Sequence, residues 1–96
     1  MGSGIHRTTI KNINDILNLL KEVGEIHIRG ISKSLNLNPF VVSNIVEKYL
    51  SYFLEIRSID QFGLRIKLVK LKPGMENTTV EDVIKYVNLK KKIRNI

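Results

Sequence analysis

Asn38-Pro39, in the middle of the chain, is the pair of residues that most restricts its fold. Pro39 has a φ held near −65° and no N–H to donate, so it suits the first position of a helix and little else within one. Asn38 can accept a hydrogen bond from the free N–H groups of that first turn. The pair therefore starts a helix, predicted to run from Asn38 to about Tyr52, and separates it from what precedes. Upstream, Ile31 and Leu35 stand four apart and predict a short helix from Arg29 or Gly30 to Leu35. Asn36-Leu37-Asn38 is the turn, with Leu37 pointing inward as a plug between the two helices. In the second helix Val42, Val46 and Tyr49, with Ile45 or Leu50 beside them, supply a buried stripe. Phe40, Val41, Ser43, Asn44, Glu47 and Lys48 are left on its outer faces.

The flanking segments complete an α+β domain. Ile13, Ile16, Leu17, Leu20 and Val23 fall at helical spacing, predicting a first helix from about Ile10 to Val23 that stops at Gly24. Glu25-Ile26-His27-Ile28 alternates and is too short for a helix, so it reads as a small strand. Leu54 to Ile59 and Leu64 to Leu71 read as two strands joined through Asp60-Gln61-Phe62-Gly63, where Gly63 can take a positive φ. Ile66 and Leu68 alternate with Arg65 and Lys67, the pattern of a half-buried ribbon. Pro73-Gly74 closes the sheet. Thr78-Thr79-Val80-Glu81 reads as a capping box opening a last helix to about Ile93. Residues 1–9 are expected to be a flexible leader or tag remnant, 10–74 one domain, and 75–96 a terminal helix with a basic tail.

The 96 residues suffice for one modest core. Without cysteine, disulfides and thiolate zinc sites are excluded. No apolar run approaches the roughly 20 residues of a membrane span, so a cytoplasmic protein is expected. The net charge of +7 is uneven. Residues 57–72 hold Arg57, Arg65, Lys67, Lys70 and Lys72 against Asp60 alone. Residues 85–96 hold Lys85, Lys90, Lys91, Lys92 and Arg94 against no acid. Clustered cations neutralise phosphates and release counterions, which favours a polyanionic partner. The plainer account of the same residues is a solubilising surface.

The order helix, polar turn, Pro-started helix and basic hairpin resembles the winged helix-turn-helix DNA-binding proteins, in particular small archaeal regulators that end in an extra helix. The resemblance rests most on Leu35, on Asn36-Leu37-Asn38-Pro39 and on Val42-Ser43. It implies a three-helix core, a short strand pairing at the base of a hairpin wing, and double-stranded DNA as partner. One departure stands out: the position after Ser43, often a basic base-reader in such proteins, is Asn44.

On that reading Asn44 can bond adenine bidentately and Ser43 can reach a base or a phosphate. Pro39, Phe40 and Val41 lie at the helix start, where an apolar side chain can touch a thymine methyl; the alternative for Phe40 is packing against the preceding helix or a partner chain. Lys48 would meet phosphate. Arg57, Gln61, Arg65 and Lys67 lie along the wing, where an Arg can enter a narrow minor groove. Those cations also serve to block strand-to-strand aggregation at a sheet edge. Only Lys48 is basic on the probe helix, and Glu47 offsets it. A protein–protein interaction module in a transcription, replication or membrane-remodelling assembly is therefore the second reading.

Catalysis has no support in the sequence. His6 and His27 have no paired carboxylate, nucleophile or metal-ligand spacing around them, and the glycines form no phosphate cradle. No cofactor or small-molecule substrate is expected. The last helix carries two apolar stripes: Val80, Val83, Ile84 and Val87, then Tyr86, Leu89, Ile93 and Ile96. The first suits the domain's own core. The second is expected to make a C2 homodimer, because monomers seldom expose large apolar patches.

Overall fold

In the computed structural model, which describes residues 5–94, helix α1 spans Arg7–Val23. It starts one turn before the apolar pattern does, because His6 caps it: the Thr8 N–H donates to His6 Nδ1 at 3.2 Å. Residues 7–9 thus belong to the helix rather than to a leader. Ile13, Ile16, Leu17 and Leu20 are each at most 2% exposed and form one wall of the core. Val23, expected on the same face, lies on the last turn and is exposed.

Strand β1 is only Ile26–His27. His27 then caps α2 (Ile28–Leu35), its Nδ1 accepting from the Gly30 N–H at 3.2 Å. Any Cβ on residue 30 would meet that ring atom at 2.6 Å, so the cap requires glycine there. Helix α2 ends on Asn36 in the left-handed conformation (φ 55). The Leu37 N–H donates to the Ser32 carbonyl at 2.9 Å, and the Ser32 hydroxyl donates back to the Leu37 carbonyl. These two bonds close the turn and leave Leu37 half-buried against the core, as its plug position requires.

Helix α3 (Pro39–Ile45) opens as expected, with Asn38 Oδ1 accepting from the Phe40 N–H at 2.8 Å. It continues as a π-helical turn, Val46–Leu50, and a 3₁₀ turn, Ser51–Phe53. The wider turn changes which residues are inside. In a straight α-helix, positions 42, 46 and 50 drift steadily around the axis in one direction, whereas the larger π repeat after Val46 drifts the other way and brings Leu50 back over Val42. Val42, Val46 and Leu50 are accordingly buried together with Ile45, and Tyr49 is only half-buried.

Strands β2 (Leu54–Gln61) and β3 (Leu64–Leu71) form a long antiparallel hairpin, and β1 pairs on the other side of β3, giving the order β1-β3-β2. The connection is tighter than the four residues predicted. Phe62 (φ 54) and Gly63 (φ 76) are the only loop residues, a type I′ turn whose twist matches that of the strands. Cross-strand partners share a face, so Val69, fully buried opposite Ile56 and Ile26, fixes the phase. Arg65 and Lys67 therefore share the face of Val69, while Ile66 and Leu68 lie on the opposite face with Ile59.

Helix α4 (Val80–Arg94) is opened by a capping box one residue later than the sequence pattern suggests. Thr79 Oγ1 accepts from the Asp82 N–H at 3.3 Å, and the Asp82 carboxylate accepts from the Thr79 N–H at 3.0 Å. Thr78 is instead buried in the preceding turn, its hydroxyl donating to the Met75 carbonyl at 2.7 Å. Val83 seats α4 on the core, with Val80, Tyr86 and Val87 packed around it. The described residues form an α+β domain of four helices and one three-stranded antiparallel sheet. Among the described residues no helix is long and apolar enough to cross a membrane.

Candidate nucleic-acid interface

Because α3 buries Val42, Ile45 and Val46, it turns Phe40, Val41, Asn44, Glu47 and Lys48 outward. Phe40 is 85% exposed, so the packing role open to it within the chain is not taken up. Pro39 is exposed beside it. Ser43 is half-buried, and its hydroxyl donates to Glu47 Oε2 at 3.1 Å. The same oxygen accepts from Lys67 Nζ at 3.5 Å. Glu47 thus joins the outer face of α3 to the hairpin, and brings Ser43, Lys67 and, one turn away, Asn44 to one side of the molecule. Lys48 Nζ lies 5.5 Å from the centre of the Tyr49 ring.

The hairpin cations, clustered along the chain, are distributed among carboxylates in space. Arg57 makes two bonds to Glu25, at 3.0 and 2.9 Å. Arg65 lies 3.6 Å from Asp60, Lys67 3.5 Å from Glu47, and Lys70 3.5 Å from Glu55. The Arg57 hydrogen bonds hold the Glu25 carboxyl below its ordinary range, and the charges of Arg57 and Lys70 act in the same direction. Two of these carboxylates were within reach of sequence arithmetic. Once the turn is placed at 62 and 63, Glu55 falls opposite Lys70 and Asp60 opposite Arg65. Glu25 and Glu47 come from other elements, and no local pattern announces them.

Exposed ion pairs of this kind are weak, with a median of roughly 0–1 kcal/mol, so a phosphate can displace the carboxylate. Gln61 is exposed at the end of β2, next to the turn. Arg57 lies on the face of the hairpin opposite Arg65 and Lys67, since it pairs with Leu68. The hairpin residues singled out in the sequence therefore address two sides and not one.

On α4, Tyr86 is not free for a partner. It stacks on Tyr52, ring centres 4.4 Å apart, and meets Phe53 edge-on at 5.6 Å. Lys72 lies over the Tyr52 ring and Lys90 over Tyr86. Leu89 and Ile93 are 57% and 63% exposed, while Ile96 lies outside the described residues. Leu89 also edges an open groove of about 470 Å³ floored by Tyr52, Met75 and Tyr86. Among the described residues no group of three His, Cys, Asp or Glu is placed to hold a metal. Compared with known protein families, curated proteins and solved structures, the chain shows no significant match.

Proposed function

We propose that this chain is a DNA-binding protein of the winged-helix type, acting in the cytoplasm as a dimeric transcriptional regulator. In this reading α3 enters the major groove, with Asn44 reading base edges and Pro39, Phe40 and Val41 at its leading end. Lys48 meets phosphate, the β2–β3 hairpin is the wing, and Leu89 and Ile93 of α4 meet their symmetry mates. The observation that carries it is the Glu47 bridge, which sets the exposed face of α3 beside a projecting hairpin that bears Lys67. A probe helix and a charged ribbon on one side match a major groove and its flanking backbone.

A second reading is favoured by a different observation. Phe40 and Val41 are exposed, and each of Arg57, Arg65, Lys67 and Lys70 already has a carboxylate beside it. An apolar, charge-balanced surface suits a protein partner. Fluorescence anisotropy with duplex DNA at two salt concentrations separates the two. If about 6 phosphates are neutralised per dimer, log affinity falls against log salt with a slope near −5. No binding at about 50 mM salt, where the Debye length is roughly 14 Å, overturns the DNA reading in favour of the protein one.

A further inference from the structure

We propose that Phe62, at the tip of the hairpin, is a wedge that inserts between base pairs from the minor groove and bends the duplex. The inference rests on the DNA reading and extends it to a residue that base or phosphate contact does not require. Its first support is backbone conformation. A type I′ turn needs a positive φ at both loop positions, and Asn, Asp or Gly is the usual first residue. Here that position holds a bulky ring at φ 54, which is uncommon outside glycine and unfavourable. The second support is that the fold gains nothing in return: Phe62 is 95% exposed and adds nothing to the core.

The third support is reach. The Glu47–Lys67 contact ties the hairpin to α3 at the level of the Ser58–Lys67 pair, and three further pairs extend beyond it to the turn. At roughly 3.3 Å per residue this projects the ring about 10 Å past that anchor, more than the roughly 7.5 Å depth of a minor groove. Leu64, 67% exposed, widens the same tip. Arg65 and Asp60 stand immediately behind it, 3.6 Å apart and each 74% exposed, so the arginine can turn to a phosphate at the groove wall. Apolar wedges of this type unstack one base step and kink DNA by roughly 20–90°. A lipid surface is the poorer match, since two apolar side chains bury little area there, whereas one flat ring is enough to open a base step.

Phe62→Asn is the variant to test, because asparagine accepts the left-handed conformation and the turn is kept. The probe is an AT-rich duplex containing TA steps, labelled at both ends for energy transfer. The wild type is expected to shorten the end-to-end distance on binding. The variant is expected to bind with an unchanged salt slope, lower affinity by several-fold, and leave the duplex straight. Its melting temperature should be equal to or above that of the wild type, so the loss is not one of folding. Equal bending by both proteins, or binding without bending by the wild type, overturns the wedge and leaves the DNA reading intact. No binding by the wild type overturns both. Pelleting with anionic vesicles that needs Phe62, alongside unbent DNA, reassigns the tip to a lipid surface and overturns the wedge as well.

Discussion

Arg57 of β2 grips Glu25 through two hydrogen bonds of 3.0 and 2.9 Å, across 32 positions of sequence. The pair crosses β3 diagonally, since β1 and β2 lie on its two sides. It ties the segment after α1 to the hairpin, and it also occupies an arginine that the hairpin would otherwise offer to a phosphate.

This pairing makes stability depend on pH in a set direction. The Glu25 carboxyl is held below its ordinary value of 4.5 by the Arg57 hydrogen bonds. A lowered folded-state value means the unfolded chain takes up the proton first. The contribution is complete above the unfolded value and disappears as pH falls through the folded one. Glu25→Gln should therefore lower the melting temperature slightly at pH 7, lose that effect as pH falls through the folded-state value, and flatten the acid limb of the stability curve. Thermal melts of both proteins across that range check it. The same substitution releases Arg57, and DNA affinity should rise if the wing meets phosphate. Unchanged affinity would remove Arg57 from the interface.

Asn44 and Ser43 should separate in their effects. Asn44 is exposed, whereas the Ser43 hydroxyl is already donated to Glu47. Asn44→Ala should cost about 1–3 kcal/mol on a preferred DNA site and little on random duplex. Ser43→Ala should act mainly by loosening Glu47, with a smaller effect on every sequence. Lys67→Ala should weaken all sequences alike and reduce the salt slope by about one. Competition binding with selected and random duplexes gives all three values; an equal loss on both duplexes would make Asn44 a backbone contact or a bystander.

The π-helical turn predicts an unequal pair of core substitutions. Leu50 is fully buried, while the adjacent Tyr49 is half-buried. Leu50→Ala should destabilise by about 2–5 kcal/mol, the range for a leucine removed from a closed core. Tyr49→Ala should cost clearly less. Urea unfolding of the two variants decides it, and a larger loss at Tyr49 would mean a regular α-helix through residues 46–50.

Self-association, if α4 mediates it, should depend on Leu89 and Ile93 and not on Tyr86, which its own chain occupies. Leu89→Glu with Ile93→Glu should give a folded monomer in sedimentation equilibrium, with circular dichroism unchanged. A wild-type protein that sediments as a monomer at high micromolar concentration removes the dimer from the proposal.

What the sequence determined by itself are the features with local causes. A missing N–H and a fixed φ place the start of α3 at Pro39, and the side-chain period delimits β3 at Leu64 and Leu71. Each depends on interactions within a few residues, so the order of letters suffices. Tertiary structure decided what needs the chain to close on itself. The burial of Val69 against Ile26 and Ile56 set which face of the hairpin carries Arg65 and Lys67. The π turn selected Leu50 over Tyr49, and Tyr52 and Phe53 drew Tyr86 away from the outer stripe. The basic run at 57–72 was legible as a run, but its neutralisation by Glu25 and Glu47 was not. Charge adds along a sequence without regard to distance, whereas Coulomb attraction depends on the separation that only folding sets.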